Sequence, residues 1–154
     1  MKATIHLCLL CTLTLASLAR SQVAQLATPP ESIPEGGIIS LLEGEKPTYV
    51  YFFASGRTST LLLAKLLELK TRGLSVQLIC DNTSCAGANM QAMKTQVPVY
   101  RLPGTIGSNL LLTDKFASSG GLGNGENSAL FRDKSMLIFM QKSLLAPLKN
   151  APRI

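Results

Sequence analysis

Histidine is almost missing from this sequence. One residue in 154 is a histidine, His6, and it falls in an apolar leader that we expect to be removed. Without another imidazole, a Ser or Cys nucleophile lacks its usual base, and a pair of thiols lacks the further ligands that a zinc site needs. Trp is absent and aromatic residues make up 5% of the chain. No dense Lys/Arg stripe carries interleaved aromatics, which argues against a stacking platform for single-stranded nucleic acid. The chain has four cysteines, and the spacing of Cys80 and Cys85 is not the C-x-x-C of redox sites.

Residues 1–21 read as a secretory signal. Lys2 is a short positive start, Ala3 to Ala19 is almost wholly apolar, and small residues at Ala19 and Ser21, or at Ser17 and Ala19, fit the cleavage rule. The alternative is a retained membrane anchor, for which the apolar run is short. Cleavage removes Lys2 and Arg20, so the balance falls from 15 basic residues against 9 acidic to 13 against 9, a net +4. That charge favours polyanions only mildly. Cys8 and Cys11 leave with the signal. Cys80 and Cys85 remain, and in the oxidising compartment this address implies, periplasmic or secreted, they are expected to form a disulfide; the alternative is two free thiols.

The rest of the chain is long enough for one domain with a real core. Residues 22–34 hold three prolines and read as an extended arm. Ser32 and Glu35 have the spacing of a capping box ahead of Ile38, Ile39, Leu41 and Leu42, which predicts a helix over 35–43. TYVYFF, residues 48–53, is a strand buried on both faces. Thr58 or Ser59 caps a helix over 60–72, striped by Leu62, Leu63, Leu66 and Leu69 and stopped by Gly73. LSVQLIC, residues 74–80, completes a βαβ unit with parallel strands. A weaker helix is predicted over 87–95 and a third strand, near an edge because of Pro98, over 97–102. A strand over 108–113 ends at Asp114. Four glycines follow within Gly120 to Gly125, which requires either a sharp turn or a close approach of backbone. A strand over 127–131 and a helix over 134–145 close the domain, and a basic tail, residues 149–154, is expected to be loose. Asp81 and Asp114, each ending a strand, are the two carboxylates a sheet would have to bring together for acid/base work.

The order of these elements resembles one half-domain of the phospholipase D superfamily, most of all its small exported nucleases. SIPEGGIISLLEGEKPTYVYFFASGRTSTLLLAKLLELKTRGLSVQLICDN is similar to the family's opening helix, strand, S-x-T-S loop, helix, strand and Asp. MKTQVPVYRL is similar to its G-I-P-V-R strand. GSNLLLTD through GNGENSALF stands where its H-x-K-x4-D motif and downstream G-S-x-N…E-N segment belong. The resemblance implies an α/β fold with a mixed, mostly parallel sheet flanked by helices over residues 35–148, and no cofactor or metal. Its chemistry is phosphodiester transfer through a phosphohistidine, with a second His from another motif as acid and with Lys and Asn holding the phosphate.

The decisive positions differ here. Gly107 stands for the His and Asn109 for the Lys. Asp114, Gly121, Asn124 and the pair Glu126 and Asn127 match, whereas Leu122 replaces the Ser. The expectation is therefore a degenerate site without the covalent nucleophile. Asn109, Gly121, Asn124 and Arg57 are the candidates for residual anion binding; tight turns and a solvated arginine explain the same residues without a ligand. Two functions follow from the resemblance. One is an inactive binding or structural component of an envelope assembly, such as a conjugation or type IV secretion apparatus. The other is a residual phosphodiesterase, endonuclease or nucleic-acid binder. A homodimer, or a heterodimer with an intact paralogue that supplies the missing His, is compatible with both.

Overall fold

The computed structural model describes residues 29–154. The leader expected over residues 1–21 and most of the arm lie outside the described residues. The chain runs through β1 (Glu31–Ile33), α1 (Glu35–Gly44), β2 (Tyr49–Ala54), α2 (Thr60–Thr71), β3 (Ser75–Cys80), a 3-10 turn (Ser84–Ala86), α3 (Ala88–Met93), β4 (Val99–Arg101), β5 (Leu110–Thr113), β6 (Ala117–Gly120), β7 (Ser128–Phe131), α4 (Lys134–Leu145) and a second 3-10 turn (Pro147–Asn150).

The strands form one sheet in the order β1-β7-β6-β5-β2-β3-β4. The βαβ unit is present as expected: β2 and β3 run parallel in register from Tyr49 opposite Ser75 to Ala54 opposite Cys80. The sheet is mixed, but parallel strands do not dominate. Two of its six pairings are parallel, β2 with β3 and β3 with β4. The difference arises from strands that the sequence hid. β6 is the unassuming ASSG, and β1 is cut from the end of the supposed arm. Both are antiparallel partners of β7.

Period-2 alternation divides the side chains between two cores. Val50, Phe52 and Ala54 join Val76, Leu78, Val99, Leu111 and Leu130 on one face, under Ile38 and Leu42 of α1, the leucine stripe of α2, and Met90 and Met93 of α3. Leu112 and Ala117 face the other way, under Leu137, Met140 and Leu144 of α4. Phe52 and Phe53 are both buried, which accounts for the unalternating TYVYFF run.

Three local expectations change. The capping box does not form: α1 begins after Pro34 with no side-chain cap. Ser32 lies in β1, where its hydroxyl accepts from Asn127 Nδ2 at 3.1 Å. The tail is not loose. Arg101 N donates to Pro152 O at 3.0 Å and Ile154 N to Val99 O at 2.9 Å, so residues 152–154 cover the outer edge of β4 and Ile154 packs on the core. An open strand edge is a row of unpaired amides and carbonyls, and these residues satisfy it. Asp81 and Asp114 do not meet. Asp81 follows Cys80, which pairs with Ala54 at the end of β2. Asp114 follows Thr113, which pairs with Val50 near its start, so the carboxylates sit at opposite ends of the sheet.

Candidate functional site

At the carboxyl ends of β2 and β3 the sheet changes from parallel to antiparallel, because β5 enters beside β2 from the other direction. Such a switch point leaves a crevice in open α/β sheets. Four segments converge on it: the loop from Ser55 to Ser59, the approach to β5 from Gly104 to Asn109, the glycine loop from Gly120 to Gly125, and the turn after β3.

Asn109 ties three of them together. It is buried to 4% exposure. Its Oδ1 accepts from Ser55 N at 2.7 Å and Ser55 Oγ at 3.0 Å. Its Nδ2 donates to Arg57 O at 2.6 Å and to Leu122 O. A primary amide offers two donors and one acceptor oxygen with two lone pairs, so its whole bonding capacity is spent inside the protein.

A second tie involves Glu35, whose role was not visible in sequence. One carboxylate oxygen accepts from Ser59 Oγ and the other from Gly123 N at 2.8 Å. Ser59 is the N-cap of α2, its Oγ accepting from Leu62 N at 3.0 Å. A carboxylate near the positive end of a helix is electrostatically favoured. Gly123 makes the approach possible. Its φ is +95°, and a Cβ there would lie 2.7 Å from Ser59 N. Gly121 is as constrained, since its Cβ would meet Glu126 O at 1.9 Å. Both reasons for a glycine-rich loop, sharp turning and close approach, are therefore realised.

Cys80 and Cys85 are disulfide-bonded, with Cα atoms 5.1 Å apart. Their loop holds Asp81, whose Oδ1 accepts from Thr83 N, Ser84 N and Ser84 Oγ while Oδ2 accepts from Ile106 N at 2.8 Å. Burial pushes the Asp81 carboxyl up, but the bonds donated by Ser84, Ile106 and Thr83 outweigh it and hold the group below the usual carboxylate range.

No family model matches the sequence. A phospholipase D from Rickettsia bellii is 22% identical over 136 residues, which cover 79% of this chain and 67% of that protein. The chain thus spans about two thirds of the length of this curated relative. The crystal structure of Nuc from Salmonella typhimurium, a phospholipase D family member, superposes with a TM-score of 0.65 at 11% identity, covering 80% of this chain and 96% of Nuc. NucT from Helicobacter pylori gives 0.66 at 13% identity, covering 80% and 98%. The chain has a phospholipase D-like fold.

Within this phospholipase D-like frame the expected site residues separate. Asn109 gathers the backbone of Arg57 and of Leu122, the neighbour of Gly121, at the switch point, and Gly107 lies two residues before it in the chain. Gly107 is exposed, and a Cβ on it would touch nothing within 4 Å. The Arg57 side chain is exposed and makes no hydrogen bond or ion pair among the described residues, while its carbonyl is held by Asn109. Asn124 and Glu126 bond to each other in an exposed turn, Glu126 N donating to Asn124 Oδ1 at 3.0 Å and Asn124 Nδ2 to Glu126 Oε2 at 3.1 Å. Asp114 stands at the far end, where Oδ1 accepts from Thr48 N at 2.9 Å. Among the described residues no cluster of His, Cys, Asp or Glu is arranged to hold a metal ion.

Proposed function

We propose that this is an exported phospholipase D-like protein whose phosphodiester site is silent, serving as a binding or structural component of an envelope assembly such as a conjugation or type IV secretion apparatus. The observation that carries the reading is the commitment of Asn109. At the position where the resemblance places a phosphate-holding Lys, the side chain is buried and fully bonded to Ser55, Arg57 and Leu122. Gly107, where it places the nucleophile, offers no side chain at all. Losing a covalent nucleophile ordinarily removes most of the rate. Export rests on the leader pattern of residues 1–21, and the Cys80–Cys85 disulfide supports it.

A second reading keeps residual phosphodiesterase or nucleic-acid binding. Its support is an exposed Arg57 side chain with no ion pair among the described residues, on a loop whose backbone is bonded to Asn109, and open space at Gly107, where an intact paralogue in a heterodimer would have room to present its own His. The test is hydrolysis of bis-p-nitrophenyl phosphate and plasmid DNA in EDTA by the purified chain from Gln22 to Ile154. No turnover is expected. Turnover that co-elutes with the protein and scales with its amount would sink the silent-site reading. Gel-shift titration of DNA oligonucleotides with wild type and Arg57→Ala examines the second reading, which requires salt-sensitive binding that the variant weakens.

A further inference from the structure

The outward face of α4 has no role in the crevice, and its chemistry is unusual. Leu137, Met140 and Leu144 turn inward onto the sheet. The opposite stripe, at i, i+3, i+4 and i+7, is Ser135, Ile138, Phe139 and Lys142. Phe139 is 65% exposed and Ile138 41%. Lys134 and Lys142 are exposed beside them, and Lys149 follows in the next turn. Two large apolar side chains in water among lysines make an amphipathic outer surface on a helix already packed on its inner side.

Charge decides what fits it. From residue 132 onward the chain carries Arg132, Lys134, Lys142, Lys149 and Arg153 against one acid, Asp133. Arg132 is paired with Glu45, and Asp133 is spent on the N-cap of α4, accepting from Met136 N at 2.9 Å. The other four cations have no ion pair among the described residues. A second copy is a poor match: Glu43, Glu45 and Glu68 are paired internally, Glu35, Asp81, Asp114 and Glu126 accept bonds from the protein itself, and Glu31 alone, a single exposed acid on β1, remains to meet four cations. Nucleic acid supplies negative charge and a base face for Phe139, but single-strand binders use several aromatics in series along a basic groove, and this helix face offers one aromatic beside an aliphatic Ile138. An anionic bilayer supplies both: headgroups for the lysines and the acyl boundary for Ile138 and Phe139.

We propose that the outer face of α4 rests on an anionic lipid surface, with Phe139 and Ile138 dipping into it and Lys134 and Lys142 at the headgroups. This is surface contact, since among the described residues no helix is long and apolar enough to cross a membrane. It does not depend on whether the crevice is active.

The test is flotation of the chain from Gln22 to Ile154, which keeps every described strand and helix, with vesicles of phosphatidylcholine alone or of equal parts phosphatidylcholine and phosphatidylglycerol. Binding is expected to the anionic vesicles and to fall with salt. Each lysine near such a surface is worth about a fivefold change in partition, so Lys142→Glu should weaken binding by at least that factor, and Ile138→Ser with Phe139→Ser should abolish it. These side chains are exposed, so melting temperatures should be unchanged. Because the chain lacks Trp, Phe139→Trp supplies a clean probe, with a blue shift expected on adding anionic vesicles. The proposal is overturned if wild type stays unbound, or if the serine variant binds as well as wild type. DNA binding that Lys142→Glu removes and the serine variant keeps, or a dimer that the serine variant splits, would reassign the face to nucleic acid or to self-association.

Discussion

Asn109 Nδ2 donates to the carbonyl of Arg57 at 2.6 Å, across 52 positions of sequence. The loop after β2 is thereby fixed to the strand beside it, and the same amide reaches Leu122 in the glycine loop. Asn109→Ala leaves Ser55 N and the carbonyls of Arg57 and Leu122 without this partner. The Leu122 carbonyl is buried and the Ser55 and Arg57 groups are half-buried; a buried group so abandoned costs about 1–3 kcal/mol and a half-buried one less, so a loss of about 3 kcal/mol is expected in urea unfolding. Asn109→Lys should be no better, because its ammonium cannot accept from Ser55. A Lys variant as stable as wild type would show that the amide clasp contributes little.

The glycine loop separates two effects. Gly123 and Gly125 both have positive φ, +95° and +80°, but a Cβ on Gly125 meets nothing within 4 Å while one on Gly123 collides with the Ser59 backbone. Gly125→Ala should cost about 1 kcal/mol from backbone strain alone. Gly123→Ala should cost clearly more, since it also breaks the approach that lets Glu35 hold Gly123 N. Equal melting temperatures for the two variants would mean that the contact yields easily.

Asp81 gives a pH signature. Its folded-state pKa is held below the usual carboxylate value, so the stability it adds is present above the unfolded pKa and is lost as pH falls through the folded pKa. Asp81→Asn should therefore be less stable than wild type near neutrality, and the gap should narrow as acid is added below the ordinary carboxylate range. Unfolding curves for both proteins across that range check the sign; a gap that widens in acid would contradict it.

The disulfide closes a small loop, so its expected effect on the unfolded chain is modest, about 2 kcal/mol by the loop-entropy relation. Cys80→Ala with Cys85→Ala should lower stability by that order and loosen the turn that presents Ser84 to Asp81. A thiol assay on the unfolded, unreduced chain from Gln22 should find no free sulfhydryl, and a full signal from both cysteines would contradict the pairing.

Much of the fold was legible because local pattern and tertiary packing agree. The leucine stripe of α2 and the apolar spacing of α4 predict helices whose bounds the structure nearly reproduces. TYVYFF and LSVQLIC are strands for the same reason, and the strand expected over 108–113 is present as Leu110–Thr113. β6 was hidden because Ala117–Gly120 has little intrinsic strand preference; β5 and β7 make it a strand by offering ladders on both sides. The site was only half legible. Its glycines announced close backbone packing, but the partner of Gly123 is Glu35, 88 positions away. A local capping pattern gave Ser32 and Glu35 a plausible but different task, and no spacing rule could have linked either to its real partner.

The two ends of the described chain lie on opposite margins of the sheet, β1 along β7 and residues 152–154 along β4. Tension applied between them would reach the margins before the centre. β1 is held by three registered residue pairs and the tail by two backbone bonds, against six registered pairs between β2 and β3. A mechanically loaded molecule should thus shed its margins first while β2, β3 and β5 stay joined, giving stepwise extension with a resistant central remnant.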